Sequence, residues 1–205
     1  MEALALSNKL ENEFNRIFIS INRLKRIKGS PNVYIANRDI DVFYEGMFLK
    51  VVTTFEAFVE ELFVGLLYNK YSLPTRKKVQ KVVFDNKKMA INYLLFNNKY
   101  LNLLPYQKLS ENHKVFYNEN NPFNILTKSQ KSILTDIFVI RNAMAHNSLT
   151  ANKKFKDFLA SKHPSLTSID NPSNFLQSLN NPNQTMFDVY VIELNGIANA
   201  FCTFN

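Results

Sequence analysis

An arginine and a histidine, Arg141 and His146, close a strongly apolar stretch of the chain. Arginine presents paired donors to phosphate oxygens and stabilises the negative charge that grows on a phosphodiester during cleavage. Histidine titrates near neutral pH, so it can take a proton from a ribose 2′-hydroxyl or give one to the leaving 5′-oxygen. Asn142 can orient the imidazole or the phosphate by hydrogen bonding. These residue types are a minimal set for cutting RNA without a metal ion.

The five-residue step does not bring Arg141 and His146 together on a regular helix. Five steps rotate the side chain by about 500°, which leaves the two groups about 140° apart. Convergence therefore requires that the helix ends or distorts near His146, or that a second copy of the motif supplies the partner. The small residues Ala143 and Ala145 leave room for another molecule to approach the backbone. The alternative is that both cations only satisfy carbonyls at the end of a helix.

Long helices are expected to position this motif, because apolar residues recur at steps of three and four. One helix carries a stripe from Leu10 to Leu24, and a second, over residues 41–70, is apolar around most of its girth. A capping box at Thr127 and Gln130 begins the helix that ends in the motif. A last helix is expected over residues 184–204. The fold predicted is all-α, an up-and-down four-helix bundle with additional short helices and long loops, as a single domain over residues 1–205.

The remaining segments are less regular. The apolar spacing in residues 85–100 predicts a further helix with Met89, Tyr93 and Phe96 turned inward. Two segments rich in Asn and Pro, residues 101–126 and 157–184, are interpreted as long irregular connections. His113 and His163 fall within them and are expected at the surface.

Composition narrows the class of protein. The chain has 205 residues, a net charge of +8 and a single cysteine, Cys202. The positive charge favours a polyanionic partner, and the lone cysteine rules out an internal disulfide framework and suits the cytoplasm. Acidic residues interrupt the apolar stretches, so neither a signal peptide nor a membrane span is expected. We expect no cofactor and no metal, since no cluster of ligating side chains has metal spacing.

Two basic clusters could follow an RNA backbone. Lys153, Lys154 and Lys156 come just after the motif, where they are expected to lie beside the cleft. The other cluster consists of Arg76, Lys77 and Lys78. The alternative for this second cluster is an ordinary solvated polar face.

The motif in its context resembles the HEPN superfamily, named for higher eukaryote and prokaryote nucleotide-binding domains. Ribonuclease members carry an arginine and a histidine four to six residues apart, late in a four-helix bundle and commonly with a polar residue after the arginine. Here residues 141–146 read RNAMAH. Residues 54–60 read TFEAFVE and are similar to a Phe-Glu-aromatic stretch on an early helix of the family. These two stretches carry the specific resemblance.

The resemblance implies a metal-independent endoribonuclease that acts as a homodimer, with two motifs facing each other in one composite active site. It implies cleavage by 2′-hydroxyl attack, and roles as a toxin or antiphage effector with a cognate antitoxin or defence-system partner. His146 would be the acid and base, Arg141 the phosphate ligand, Asn142 a positioning residue and Glu56 an orienting acid. The alternatives are a non-catalytic helical dimerisation module that binds nucleotide, RNA or a protein, and an immunity protein or antitoxin.

Overall fold

The computed structural model describes residues 1–28, 30, 34–75, 77–95, 101, 103–146 and 148–205. Within these residues the chain forms eight α-helices, two short 3₁₀ turns and one two-stranded antiparallel sheet. The four longest helices are α1 (Ala3–Lys28), α2 (Asn37–Leu67), α5 (Lys128–Ala145) and α8 (Met186–Cys202). The shorter elements are α3 (Lys87–Leu95), α4 (Tyr106–Phe116), α6 (Leu149–Lys162), α7 (Pro172–Gln177), β1 (Leu179–Asn181) and β2 (Gln184–Thr185).

The all-α prediction is confirmed, and the fold is consistent with a helical bundle. The four long helices lie where the apolar stripes predict them, with ends shifted by a few residues. No helix in the described part of the chain combines the length and the apolar character that crossing a membrane requires. Close contacts divide the chain into two compact units, each made of several separate segments. The single-domain interpretation of residues 1–205 stays a prediction.

Two predicted loops contain helices. Residues 101–126 include α4, which follows Pro105 and buries Leu109, His113 and Phe116 along one face. The stripe is hard to recognise in the sequence because a histidine stands in its middle, and His113 is buried rather than at the surface. Residues 157–184 include the second half of α6 and all of α7, whose first turn is capped by Asn171.

The first unit comprises residues 1–11, 54–134 and 194–205. Its core holds a cluster of aromatic rings around Phe63, which contacts Tyr117 and Phe123 at centroid distances of 4.9 and 5.0 Å. The Tyr117 hydroxyl donates a hydrogen bond to the Phe63 carbonyl. On α3 the inward residues are Ala90 and Leu94. Met89 and Tyr93 are exposed, contrary to the prediction, and Phe96 lies outside the described residues.

The second unit comprises residues 12–53 and 135–193. Phe187 is fully buried and meets the rings of Tyr44 and Phe48 at centroid distances of 5.7 and 6.3 Å. A second ring cluster is centred on Phe175, which contacts Phe158 at 5.5 Å. Phe158 belongs to α6, so this cluster fixes the helix that directly follows the RNAMAH motif.

Candidate functional site

The helix α5 carries the motif, and its start is built as predicted. The backbone N–H of Gln130 donates to the Thr127 hydroxyl at 3.2 Å, and the backbone N–H of Thr127 donates to Gln130 Oε1 at 3.0 Å. This reciprocal pair is a capping box and satisfies two donors that a helix N-terminus leaves open. Further along, Ile137 and Ile140 are buried at about one-turn spacing. The buried face fixes the rotation of α5 and therefore the direction in which its last turn presents the motif.

The helix ends at the motif. Ala145 is the last residue of α5, and the His146 N–H still donates to the Asn142 carbonyl at 3.0 Å. The next helix, α6, begins almost at once, because the Ser148 side chain accepts from the Ala151 N–H and caps it. His146 therefore stands at a helix end, which is one of the two alternatives that its spacing from Arg141 leaves open. Asn147 lies outside the described residues.

Arg141 is half-buried and is held by its neighbour. Its Nη1 donates to Asn142 Oδ1 at 3.0 Å. Its Nε is buried, and no acceptor for this N–H exists in the described part of the chain. A guanidinium has five donors. The guanidinium is thus oriented from one side by the Asn142 side-chain oxygen, while its buried Nε–H has no acceptor among the described residues.

The His146 imidazole is exposed, and within the described ranges it has neither a hydrogen bond nor a ring contact. Arg141 and Asn142 are brought together by the fold, whereas a side-chain contact between Arg141 and His146 is not found in the described chain. A site that uses both therefore depends on a ligand bridging them or on a second motif.

An ion pair between a buried carboxylate and an exposed lysine joins the motif helix to the helix that follows it. Asp136 on α5 accepts from Lys162 Nζ at the end of α6, at 2.5 and 2.7 Å to its two carboxylate oxygens. Burial raises the pKa of Asp136 and outweighs the opposing effect of the Lys162 ammonium. This pair joins the middle of α5 to the end of α6. His146 lies in the turn between these two residues along the chain.

His163 follows Lys162, and its side chain is half-buried rather than fully exposed at the surface. Its ring packs on Phe158 and Phe175 at centroid distances of 5.3 and 5.0 Å. Burial lowers the pKa of His163, and the nearby Asp136 carboxylate only partly offsets this. The half-buried imidazole packs against the ring cluster, which fits a structural role at the end of α6.

The three lysines after the motif differ in their partners. Lys156 pairs with Asp170 at 2.9 Å, and both side chains are largely exposed. Lys153 and Lys154 are exposed and form no ion pair within the ranges described. These two ammonium groups are therefore the ones on α6 whose charge is not offset by a paired carboxylate.

The other basic cluster belongs to the first unit. Lys77 and Lys78 are exposed, but Val79 and Gln80 directly after them are buried. Gln80 anchors the segment, because its amide donates to the Leu66 carbonyl at 2.7 Å. Arg76 lies outside the described residues. Residues 78–80 are thus anchored to neighbouring elements, because Asn118 also donates to the carbonyls of Lys78 and Val79.

Glu56 is half-buried on α2 and belongs to the first unit, whereas Arg141, Asn142 and His146 belong to the second. Its predicted role as an orienting acid stays a prediction. Among the described residues, no three His, Cys, Asp or Glu side chains group closely enough to hold a metal ion.

Comparison of the chain with protein-family models, with curated proteins and with solved structures finds no match in any of the three. The case for a function therefore rests on the chemistry of the motif and on the resemblance of its residues.

Proposed function

We propose that the chain is a metal-independent endoribonuclease of the HEPN type that cleaves RNA by 2′-hydroxyl attack. The observation that carries the proposal is the last turn of α5. There Asn142 holds the Arg141 guanidinium, Arg141 Nε lacks an acceptor in the described chain, and His146 stands exposed just past the helix end. An oriented guanidinium and an exposed imidazole in one turn of the chain are the groups that a scissile phosphate requires, and a bound ligand or a second motif would bring them to the same phosphate.

In the proposed mechanism His146 takes the proton from the ribose 2′-hydroxyl as this oxygen attacks the adjacent phosphorus. The 5′-oxygen leaves and takes a proton from a protonated His146 imidazole to become a 5′-hydroxyl, while the other fragment ends in a 2′,3′-cyclic phosphate. Arg141 binds the non-bridging oxygens and stabilises the additional negative charge of the transition state. Asn142 keeps the guanidinium oriented, as its hydrogen bond to Arg141 supports. Lys153 and Lys154 contact the RNA backbone.

The proposed active form is a homodimer in which two motifs face one cleft. The exposed position of His146 supports this, because its imidazole has no partner in its own described chain and is open to another molecule. In the cell the protein would act in the cytoplasm as a toxin or antiphage effector, restrained or triggered by a cognate antitoxin or defence-system partner.

The enzyme proposal is tested with purified protein, a labelled RNA and EDTA in the buffer. Wild type is expected to cleave, with cyclic phosphate at the new 3′ ends, whereas Arg141→Ala and His146→Gln are expected to be inactive. Arg23→Ala is the matched control, because it removes one exposed arginine from α1 and should leave cleavage unchanged. If the wild-type protein leaves the RNA intact with every partner tested, the enzyme proposal is wrong and the non-catalytic module is the remaining function. Loss of cleavage in EDTA contradicts the metal-free mechanism.

The composite site has its own test, which uses the two inactive variants mixed together. Subunit exchange makes about half of the dimers mixed in a twofold assembly, and each mixed cleft then contains one Arg141 and one His146. Partial recovery of cleavage on mixing is the expected result. A monomer in sedimentation analysis that nevertheless cleaves RNA refutes the dimeric site but not the enzyme.

A further inference from the structure

A pocket of about 380 Å³ lies in the first unit, separate in sequence from the RNAMAH motif. Its walls come from the end of α4, from the loop that follows it and from the strand-like segment at Lys81. The lining residues that matter here are Lys81, His113, Lys114, Asn118, Glu119 and Asn124. A volume of this size lies at the lower end of the range in which small ligands bind.

His113 in the wall of this pocket is 2% exposed, and its Nε2 has no hydrogen-bond partner in the described chain. A buried polar atom without a partner costs free energy and calls for an explanation. The opposite ring nitrogen, Nδ1, lies 3.4 Å from Asn121 Nδ2. The other hydrogen bonds of Asn121 determine which of these two nitrogens is the donor and which is the acceptor.

The amide of Asn121 has a fixed orientation. Its Oδ1 accepts from the Phe123 N–H at 2.9 Å, and its Nδ2 donates to the Asn118 carbonyl at 2.6 Å. Because Nδ2 is the donor side, His113 Nδ1 must be the acceptor, and the neutral ring carries its proton on Nε2. The atom without a partner is therefore an N–H donor that lacks an acceptor.

The surroundings of this donor are positively charged. Burial lowers the pKa of His113, and the Lys114, Lys131 and Lys81 ammonium groups lower it further. Lys81 Nζ donates to the Lys114 carbonyl at 2.6 Å, which leaves two of its three hydrogens for other acceptors. Lys114 is exposed and forms no ion pair in the described chain. Against these cations the pocket contains one carboxylate, that of Glu119.

We propose that this pocket binds a small phosphate-bearing anion, with His113 Nε2–H, Lys81 and Lys114 donating to its oxygens. A neutral donor flanked by ammonium groups is the combination that a phosphate oxygen satisfies best, because each oxygen accepts several hydrogen bonds and gains from the positive field. Asn118 and Asn124 also line the pocket. The amide nitrogen of each donates one hydrogen bond, to the carbonyls of Lys78 and Glu119, and has a second N–H for the remainder of the ligand. The site is independent of the proposed ribonuclease centre, which uses Arg141 and His146.

The test is a titration of the full chain with inorganic phosphate, followed by the imidazole nitrogen resonances of its three histidines at constant ionic strength. We expect a saturable shift of the His113 Nε2 resonance and no matching shift with chloride. His163 should stay unchanged, and a separate response of His146 would report phosphate at the ribonuclease site. Arg141→Ala is expected to abolish any His146 response and to leave the His113 response intact.

Lys114→Gln is the decisive variant, because Lys114 is exposed and its loss should not unfold the chain. We expect it to weaken phosphate binding about tenfold, the effect of removing one charged hydrogen bond. Lys108→Gln is the matched control, since Lys108 is an exposed lysine of the same helix that does not line the pocket. A His113 resonance that does not respond to phosphate overturns the proposal. Equal weakening by both lysine variants also overturns it, because the binding would then be diffuse attraction.

Discussion

Gly65, near the end of α2, touches the ring of Tyr71 so closely that a side chain there has no room. A Cβ at this position would overlap Tyr71 Cδ2 and lie 2.5 Å from Cε2. The Tyr71 ring is itself held in place, since its hydroxyl donates to Glu61 Oε1 at 2.9 Å. Lys70 and Lys87 donate to the same carboxylate. The substitution Gly65→Ala must therefore push the ring away and break a charged hydrogen bond.

The size of the effect follows from three contributions. Overpacking a well-filled site costs about 1–3 kcal/mol. Loss of the Tyr71 hydrogen bond to the charged Glu61 costs about 1.5–3 kcal/mol, at the lower end here because the Glu61 side chain is 26% exposed. Alanine recovers about 1 kcal/mol of helix propensity over glycine. We expect Gly65→Ala to lower the free energy of unfolding by about 1.5–3.5 kcal/mol.

The measurement is urea unfolding followed by far-ultraviolet circular dichroism at fixed protein concentration. Gly46 is the matched control, because it lies in the same helix and a Cβ added there would meet nothing within 4 Å. Gly46→Ala should raise the free energy of unfolding by up to about 1 kcal/mol. A Gly65→Ala protein that is as stable as wild type refutes the inferred contact with Tyr71.

Three further outcomes are expected. Asn142→Ala should lower kcat/KM for RNA by about tenfold or more, because the Arg141 guanidinium loses the acceptor that orients it, whereas unchanged cleavage would show that this hydrogen bond is dispensable. Lys162→Met should lower the free energy of unfolding at pH 7 but scarcely at pH 4. Without the lysine the pKa of Asp136, which burial already raises, rises further in the folded state, and this destabilises the fold only at pH values where the carboxyl of the unfolded chain is ionised. An equal decrease in the free energy of unfolding at both pH values would contradict this. Cys202 is fully buried and burial raises its pKa to about 12, so a thiol reagent should label it only in denaturant, and rapid labelling of the native protein would disprove its burial.

The helices that could be predicted from the sequence are those whose apolar spacing is uninterrupted. In α1, α5 and α8 burial of one apolar stripe decides the structure, and in α2 burial of an apolar surface around most of the helix does so. Helix α4 could not be predicted in this way, because its buried face combines leucine and phenylalanine with His113, and a histidine does not count as apolar in a periodicity argument. Helix α7 has six residues, too few for any periodic pattern to appear.

In the candidate site, too, some features that depend on residues close in sequence could be predicted, and contacts between distant residues could not. The helix end at His146 could be anticipated as one of two alternatives, because the spacing from Arg141 calls for a helix end or a second motif and a helix end depends on nearby residues. The bond from Arg141 to Asn142 could not, since adjacent residues on a helix do not ordinarily face each other. The pair of Asp136 and Lys162 is separated by 26 positions in the chain, and no spacing rule connects residues so far apart.

Each of the two compact units is assembled from pieces that are interrupted in the chain. The first unit needs three segments and the second needs two, and the breaks fall inside α1, α2, α5 and α8. Neither unit can therefore be expressed as one continuous fragment, and a truncation at either end removes helix from the first unit. If whole helices are exchanged with those of another protein, both units change, because each long helix contributes residues to both. Inserted sequences should be placed in the connections between helices, where they leave all four long helices uncut.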